Sequence, residues 1–318
     1  MKNKVLSLCG FLALIVSASS FGAIEGRPDR DKIVFAYLQS PTSNDIRGVR
    51  WHALTHIGWS FITFDADANL GGVTSFNNRS AELKPGGVAS NNGVKVVIVL
   101  ANQNFDESIL STVMTSATLR QKLIDNVVAV VSNPTTGCDG VNLDFEFSWG
   151  TSTRDGIAAF IQGLYTALKA LTPPRELSIY TIPSWSSTQY IASNLTNYTD
   201  YVIYSGYDFA SGTTMQSVGE YGTTSTYSIV GNLDDYIAAG IPPDHLVLGL
   251  PFYTKSWDTD ASGTYGGTGT EVGADSLLQA NYDTLYRNPP YTKYYSTPTN
   301  HHTKWYKRLI SGTTYRLT

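Results

Sequence analysis

Polar and apolar side chains alternate in the segment Asp139-Gly-Val-Asn-Leu-Asp-Phe-Glu146. Successive side chains of a β-strand point to opposite faces, so Asn142, Asp144 and Glu146 would share one side. Burying three polar groups in a row costs free energy unless they bind one another or a ligand. The pattern therefore predicts a functional site on one face of a buried strand.

Glu146 is the last polar residue of this run, and its surroundings determine the chemistry that we expect. The charge of Asp144 and partial burial would both raise the pKa of the Glu146 carboxyl. A carboxyl group that keeps its proton near neutral pH can act as a general acid. A half-exposed strand with its polar side toward water would show the same alternation. The buried barrel context and the preceding Asp139-Gly140 favour the catalytic interpretation over that one.

Seven short apolar, β-branched runs predict the strands that must position these residues. They are Lys32–Leu38, His56–Phe64, Val94–Leu100, Val141–Phe147, Leu177–Ile182, Tyr201–Tyr207 and Leu246–Phe252. Apolar residues at helical spacing predict helices at Thr118–Val131, Arg154–Leu171 and Leu233–Ala239. Strands that alternate with helices are typical of the α/β class, here a (β/α)₈ TIM barrel. Glu146 would lie at the carboxyl end of its strand, where barrel enzymes keep their active sites.

The eighth strand of this barrel is difficult to find. The chain after Phe252 is rich in Gly, Thr, Tyr and Asn, with one weak helical pattern at Ala274–Tyr286. Either a stretch such as Thr303–Leu309 closes the barrel poorly, or the chain is truncated. We therefore predict one catalytic barrel domain over residues 30–318. Its part from about residue 255 would be loop-rich or a truncated insertion.

The amino terminus has the pattern of an export signal. Lys2 and Lys4 precede an apolar run, Val5–Val16, that is too short to span a bilayer, and small residues follow. We expect a signal peptide over residues 1–22 and a secreted protein, extracellular or periplasmic. No other run is long and apolar enough for a membrane span, so we expect no membrane partner.

Composition restricts the partner classes. The formal net charge is −4 and basic runs are absent, which argues against a nucleic-acid partner. The 20 Tyr and 6 Trp residues suit a carbohydrate ligand, because sugars present apolar ring faces and many hydroxyls. His52 and His56 have a metal-site spacing without the intervening Glu of zinc proteases, and we interpret them as structural.

The segment from Asp139 to Glu146 resembles the signature D-G-x-(D/N)-x-(D/N)-x-E of glycoside hydrolase family 18, the chitinase family. Asn142 stands where many members have Asp. Further segments resemble the family in order along the chain: Ala36-Tyr37, Leu54–Phe61, Tyr207-Asp208, Gly240–Pro242 and Leu246–Tyr253. The chain departs from the family at Val99–Asn102, where members have S-x-G-G, and at Ser205, which replaces a Met. The family's eighth strand and its Trp are not visible.

The resemblance implies a retaining, substrate-assisted mechanism without metal or cofactor. Glu146 would protonate the glycosidic oxygen, and the substrate's own 2-acetamido carbonyl would attack the anomeric carbon. Asp144 would orient the acetamido N–H, with Asp139 steadying Asp144. Tyr207 would bind the acetamido oxygen, and Asp208 would help to hold the distorted sugar.

Several further residues are predicted to bind substrate. Trp149, Trp185 and Trp257 each follow a predicted strand end, on the face that would carry the active site. A Trp in such a loop stacks on a sugar ring or packs against the protein about equally often. The complete set of predicted binding residues is Tyr37, Phe61, Asn142, Trp149, Trp185, Tyr253 and Trp257.

The expected activity is hydrolysis of β-1,4 bonds in chitin or chito-oligosaccharides by a monomer. The expected partner is thus a polysaccharide or oligosaccharide that contains N-acetylglucosamine. One alternative is a peptidoglycan or N-glycan hydrolase of the same family, because those substrates also present an acetamido group. The other is a non-catalytic chitin-binding lectin. Retention of Glu146 argues against the lectin, since such relatives usually have lost this acidic residue.

Overall fold

A computed structural model describes residues 32–39, 46, 48–146, 150–183, 185–209, 213–215, 228–264, 266–276, 292–295 and 304–317. Its main sheet contains β1 (Phe35–Gln39), β2 (His56–Phe64), β3 (Leu70–Gly71), β4 (Lys95–Asn102), β5 (Gly140–Asp144), β6 (Glu176–Thr181), β7 (Tyr201–Ser205) and β8 (Leu246–Gly249). Parallel neighbours follow the order β1-β2-β4-β5-β6-β7-β8, and β3 pairs antiparallel with β2. The seven parallel strands confirm the seven predicted ones and form a curled, incomplete barrel. Within the described residues β1 and β8 are not paired with each other.

Helices cover the outside of this sheet. They are α1 (Val73–Asn77), α2 (Ser80–Leu83), α3 (Val88–Asn91), α4 (Glu107–Thr115), α5 (Ala117–Val131), α6 (Thr151–Lys169), α7 (Ala192–Tyr198) and α8 (Ile229–Ala238). Side-chain caps fix several of their starts: Asp106 accepts from Ser108 N, and Ser116 accepts from Leu119 N. Gly240, with a φ of 99°, follows α8. None of the helices in the described ranges combines the length and hydropathy needed to cross a bilayer.

Alternation along the strands divides the interior into two regions. Outward-facing residues such as Ile98, Leu143 and Ile179 pack against the helices and form the main core. Inward-facing aromatic and aliphatic residues, including Tyr180, Tyr201 and Ile203, fill the barrel axis. The polar row of β5 therefore belongs to the axis, because its neighbours Val141, Leu143 and Phe145 belong to the helix side.

The amino ends of the strands are tied together by one repeated contact. In each case the acceptor is the side chain of the residue just before a strand. The donor is a backbone N–H at or just before the start of the neighbouring strand that comes earlier in the chain. Val34 N donates to Thr55 Oγ1 at 2.8 Å, Val96 N to Asp139 Oδ2 at 2.7 Å, and Leu177 N to Asp200 Oδ2 at 2.7 Å. We call these three acceptors, Thr55, Asp139 and Asp200, the basal clamps. They satisfy backbone donors at the end of the barrel away from Glu146.

The chain beyond β8 forms a second, antiparallel sheet. Its strands are β9 (Tyr253–Thr259), β10 (Thr270–Ser276), β11 (Thr292–Tyr295), β12 (Lys304–Ser311) and β13 (Thr314–Leu317), in the order β10-β9-β13-β12-β11. Met215, Trp257 and Leu317 form its own small apolar cluster.

One expectation for this region is wrong, and the start of another differs from the structure. Thr303–Leu309 was the candidate for closing the barrel, but its residues from 304 onward form β12, which pairs antiparallel with β11 and β13. Residues 274–276 of the expected helix Ala274–Tyr286 are extended in β10, and residues 277–286 lie outside the described residues. Cross-strand pairing has overridden a weak local helical pattern here.

Candidate active site

The polar row of β5 is positioned by contacts with the strands on either side of the axis. Tyr37 of β1 donates its hydroxyl to Asn142 Oδ1 at 3.0 Å, and Asn142 Nδ2 donates to Ser178 Oγ of β6 at 2.9 Å. Asn142 is completely buried and Asp144 is 6% exposed. Both polar atoms of the Asn142 amide are therefore used to link three strands beneath the two carboxyl groups.

The two carboxyl groups have raised pKa values. Burial, followed by the charge of Glu146, raises the pKa of Asp144 to about 8. Burial, followed by the charge of Asp208, raises the pKa of Glu146. Asp144 Oδ1 is buried without a hydrogen-bond partner among the described residues. The pair can thus hold a proton near neutral pH and offers an unused acceptor inside the site.

A row of tyrosines lies beside this pair. The rings of Tyr180 and Tyr207 stack with centroids 6.3 Å apart, and Tyr207 meets Tyr253 edge-on at 6.1 Å. The hydroxyl groups of Tyr180 and Ser205 are 3.1 Å apart. Burial is the main cause that raises the pKa of Tyr207, so its hydroxyl remains a proton donor. This row presents hydroxyl groups next to the carboxyl pair.

Asp208 follows Tyr207 and is exposed at the edge of the site. Its oxygen Oδ1 accepts a hydrogen bond from the Tyr253 hydroxyl at 2.5 Å. The backbone of Asp208 has a φ of 61°, a region that costs free energy for residues with a side chain, though Asp tolerates it better than most. Asp208 therefore departs from strand geometry at the position where its carboxylate meets the Tyr253 hydroxyl.

Tyr37 of β1 lies at the site through its contact with Asn142, whereas Phe61 of β2 has no contact with the carboxyl pair. Tyr37 is 38% exposed. Phe61, near the end of β2, is half-buried and meets Phe105 edge-on with ring centroids 5.4 Å apart. These rings provide an apolar surface suited to the faces of sugar rings.

Asp139 does not join the carboxyl pair. It lies five residues before Asp144, about 16 Å along an extended strand. Its Oδ2 accepts from Val96 N as a basal clamp, and its Oδ1 is 3.7 Å from Arg175 Nη1. The residue that lies in line beneath Asp144 is Asn142, so the steadying role expected for Asp139 has no contact to support it.

The three tryptophans have different positions. Trp257 was expected to bind substrate, but it is 1% exposed and packs against Met215 and Leu317, so it cannot stack on a sugar. Trp185 is half-buried and meets the Tyr236 ring edge-on at 5.4 Å, which combines a packing contact with partial exposure. Trp149 lies outside the described residues.

Sequence reasoning missed three residues of the site. Ser178 and Tyr180 alternate on β6 in the way that identified the β5 row, so the same argument could have found them. Lys255, whose Nζ is 3.9 Å from Asp208 Oδ1, comes from β9 and carries no local signal.

The two histidines that we interpreted as structural have different surroundings. His56 Nε2 lies 3.0 Å from Glu176 Oε2, and His56 Nδ1 lies 2.9 Å from Thr55 Oγ1. His52 lies in the 3₁₀ turn Trp51–Ala53. No group of three or more His, Cys, Asp or Glu side chains suited to a metal ion occurs in the described part of the chain.

Curated proteins with related sequences are plant enzymes. A Medicago truncatula protein named Class V chitinase CHIT5b is 24% identical over 249 residues, which cover 70% of this chain and 61% of that protein. Nod factor hydrolase protein 1 of the same plant is 22% identical over 57% of this chain and 50% of its own length. The chain thus spans between half and two thirds of the length of these relatives.

Solved structures share the fold at low identity. The Class V chitinase from Nicotiana tobaccum superposes with a TM-score of 0.72 at 16% identity, covering 89% of this chain and 85% of that one. A mutant of that enzyme has been solved in complex with NAG4. The chitinase-like agglutinin RobpsCRA from Robinia pseudoacacia gives a TM-score of 0.71 at 18% identity, covering 89% and 86% of the two chains.

The family assignment rests on the match to the whole described barrel. The profile of glycosyl hydrolases family 18 matches residues 33–310, which include the β5 row, the tyrosines and most of the second sheet. The seven-stranded curled sheet agrees with the barrel of the solved chitinases. The chain therefore belongs to glycosyl hydrolase family 18.

Proposed function

We propose that this protein hydrolyses β-1,4 bonds of chitin or chito-oligosaccharides by a retaining, substrate-assisted mechanism. One observation carries the proposal: two carboxyl groups with raised pKa values, Asp144 and Glu146, stand in line at the carboxyl end of β5. Burial of such a pair is costly and serves proton transfer at neutral pH.

In the first half of the reaction, the Glu146 carboxyl donates its proton to the glycosidic oxygen. The bond between that oxygen and C1 breaks, and the acetamido carbonyl oxygen of the same sugar forms a bond to C1. The product is an oxazolinium ion, which needs no protein nucleophile. Asp144 accepts a hydrogen bond from the acetamido N–H, for which its buried Oδ1 is available. Tyr207 donates its hydroxyl to the acetamido oxygen.

In the second half, Glu146 acts as a base. It takes a proton from a water molecule, whose oxygen attacks C1 as the bond from C1 to the carbonyl oxygen breaks. The sugar regains its acetamido group with the β configuration retained, and Glu146 regains its proton. One water is consumed for each bond broken, and no metal or cofactor takes part.

Support for the substrate class comes from the surfaces around the pair. Tyr37 and Phe61 offer ring faces, and Trp185 is partly exposed. Tyr253 and Asp208 offer a hydroxyl and a carboxylate for sugar hydroxyls. The NAG4 complex of the tobacco enzyme is consistent with an N-acetylglucosamine oligomer as ligand. We further propose a secreted, monomeric protein, in keeping with the N-terminal pattern of residues 1–22.

The test is the release of reducing ends from chito-oligosaccharides by the wild type and by Glu146→Gln. Loss of a general acid lowers the rate by about 10²- to 10⁴-fold, while the amide keeps the shape of the site. Glu107→Gln, an exposed carboxylate in the first turn of α4, is the matched control and should retain full activity.

Two other outcomes would redirect the assignment. Tight oligosaccharide binding by an inactive wild type, unchanged in Glu146→Gln, would identify a chitin-binding lectin; one protein of this fold is the chitinase-like agglutinin from Robinia. Activity on peptidoglycan or N-glycans without activity on chito-oligosaccharides would identify another substrate of the family. Rapid cleavage of a plain β-glucoside, which lacks the acetamido group, would rule out substrate assistance.

A further inference from the structure

Lys255 connects the second sheet with the carboxyl groups of the barrel. It lies on β9 with its side chain only 16% exposed. Its Nζ is 3.9 Å from Asp208 Oδ1 and 3.7 Å from Glu271 Oε1 of β10. One ammonium group thus lies between a carboxylate of the active-site edge and a carboxylate of the small sheet.

We propose that Lys255 is a positioning residue, which partly neutralises Asp208 and so controls how firmly Glu146 holds its proton, while Glu271 competes for the same ammonium group. The proposal rests on the proposed function, because it assigns Glu146 the proton-transfer role. It adds that the charge of the catalytic acid is adjusted from outside the barrel.

The charge on Asp208 connects Lys255 with Glu146. That charge, after burial, is the cause that raises the pKa of Glu146. A cation within 4 Å of a carboxylate offsets part of its charge, most strongly where solvent does not screen the pair. Asp208 and Glu271 are partly exposed, with side chains 46% and 32% accessible, so the effect transmitted to Glu146 is a fraction of this.

Other charged and titratable groups near Lys255 are found among the described residues. Tyr253, on the same strand, donates to Asp208 Oδ1, and Tyr207 and Asp144 lie on the barrel side of the site. Asp258 of β9 is held by Arg316 of β13, with Nε and Oδ1 2.9 Å apart. The cross-strand neighbour of Lys255 on β10 is the uncharged Ala274. Lys255 is therefore the cation that faces the active-site carboxylates among these groups.

Opposite substitutions should shift Glu146 in opposite directions. Lys255→Met removes the cation and leaves Asp208 at full charge, so Glu146 should hold its proton to higher pH. Glu271→Gln removes the competing carboxylate, so Lys255 should neutralise Asp208 more completely and Glu146 should lose its proton at lower pH. Lys255→Arg keeps the charge and should behave like the wild type.

The experiment measures kcat/KM for a chito-oligosaccharide against pH in these three variants and in the double variant Lys255→Met/Glu271→Gln. We expect the basic limb of the kcat/KM profile to move to higher pH by about half a unit in Lys255→Met. In Glu271→Gln it should move to lower pH by a few tenths of a unit. If Glu271 acts through Lys255, its effect should vanish in the double variant. Limbs that stay in place, or that shift in the same direction, would overturn the proposal.

A second readout separates this inference from the proposed function. The Glu146 carboxyl can be titrated by ¹³C NMR in each variant, whether or not the protein turns over substrate. The expected opposite shifts in an inactive protein would uphold the electrostatic coupling and reject the hydrolase assignment. Turnover of substrate with an unshifted Glu146 pKa would uphold the hydrolase assignment and reject the electrostatic coupling. Circular dichroism checks that each variant is folded, and Glu271→Gln tests the idea independently if Lys255→Met is unstable.

Discussion

At the scale of single residues, burial gives the active-site groups their chemistry. Asp144 and Glu146 are carboxyl groups of ordinary type whose pKa values are raised first by burial. The charge of Glu146 then raises the pKa of Asp144, and the charge of Asp208 raises that of Glu146. Asn142 stabilises the row without adding a charge, because its amide both accepts from Tyr37 and donates to Ser178. A third carboxylate here would increase the repulsion within the pair.

The first prediction concerns Asp208. Replacing Asp208 with Asn removes a negative charge that raises the pKa of Glu146, so that pKa should fall. The basic limb of the pH profile of kcat/KM should move to lower pH by about half a unit, reported by the hydrolysis of a chito-oligosaccharide. Asp234→Asn, an exposed carboxylate of α8, is the control and should leave the profile unchanged. A limb at the wild-type position in Asp208→Asn would contradict the coupling.

The alternation of side chains predicted the axis-facing row of β5, because a strand leaves each residue only two faces. Two other residue assignments needed the structure. Asp139 belongs to the signature but lies at the opposite end of the strand, and its contact with Val96 N depends on a neighbouring strand distant in sequence. Trp257 follows a predicted strand, which is the position expected of a substrate-binding residue. It is instead buried in the apolar cluster of the second sheet, which the sequence did not predict.

At the scale of elements, the close approach of α6 and α4 constrains the sequence. Gly156, on α6, faces the backbone of α4 so closely that a Cβ atom would lie 1.9 Å from the Met114 carbonyl oxygen. Gly163 lies two turns later on the same helix, where a Cβ would meet only the Cδ1 end of Ile124 at 2.8 Å. The two positions share a helix but differ in what a methyl group would touch.

The second prediction uses this difference. Gly156→Ala should lower the free energy of unfolding by about 1–3 kcal/mol, because α4 cannot give way without moving its backbone. Gly163→Ala should be neutral or stabilising by up to about 1 kcal/mol, since alanine favours the helix and the Ile124 side chain can rotate. Urea denaturation followed by circular dichroism measures both. Equal losses for the two variants would show that the helix packing is not the cause.

The sequence predicted the existence of these elements better than their ends. His56–Phe64 was predicted with its observed bounds, because this run is rich in aromatic and β-branched residues, which favour strands. The predicted strands Tyr201–Tyr207 and Leu246–Phe252 end earlier in the structure, at Ser205 and Gly249. Tyr207, at the end of the first of these two predicted strands, leaves the sheet and joins the tyrosine row of the site. Hydrophobicity does not distinguish a residue inside a strand from one just beyond its end.

At the scale of the molecule, ion pairs at the amino ends of the strands join distant parts of the barrel. The Glu176 carboxylate of β6 contacts His56 of β2 at 3.0 Å and also binds Lys95 of β4. Burial would raise the pKa of Glu176, but hydrogen bonds from His56 and Lys95 lower it below its ordinary value of 4.5. One side chain, 20% exposed, thus links three strands.

The third prediction concerns the pH dependence of stability. Because the pKa of Glu176 is lower in the folded than in the unfolded protein, its contribution is complete above about pH 4.5 and is lost as the pH falls through the folded value. Glu176→Gln should therefore lose about 1–3 kcal/mol at pH 7, and the difference from the wild type should shrink toward acid pH. Urea unfolding at several pH values measures it. A pH-independent difference would indicate a packing defect.

The overall architecture could be predicted only in part. Strands that alternate with helices indicated the parallel barrel, and the lack of an eighth apolar run indicated that it is incomplete. The second sheet was not predicted, although its Thr and Tyr residues favour strands. Part of its pairing joins segments far apart in sequence, as β9 does with β13, and neither segment alone indicates its partner. Such pairing leaves little periodic signal in either strand.

The separate apolar cluster of the second sheet has a consequence for how the protein loses its structure on heating. Among the described residues, Met215, Trp257 and Leu317 are few beside the continuous core of the barrel, so the small sheet should form a cooperative unit of lower local stability. Tyr253, which donates to Asp208, is part of that unit. Amide hydrogens of β9 and β13 should then exchange with deuterium faster than those of β4 and β5. Activity would then be lost at a lower temperature than the one at which the barrel unfolds. A melting curve that follows the barrel would overestimate the temperature up to which the protein is active.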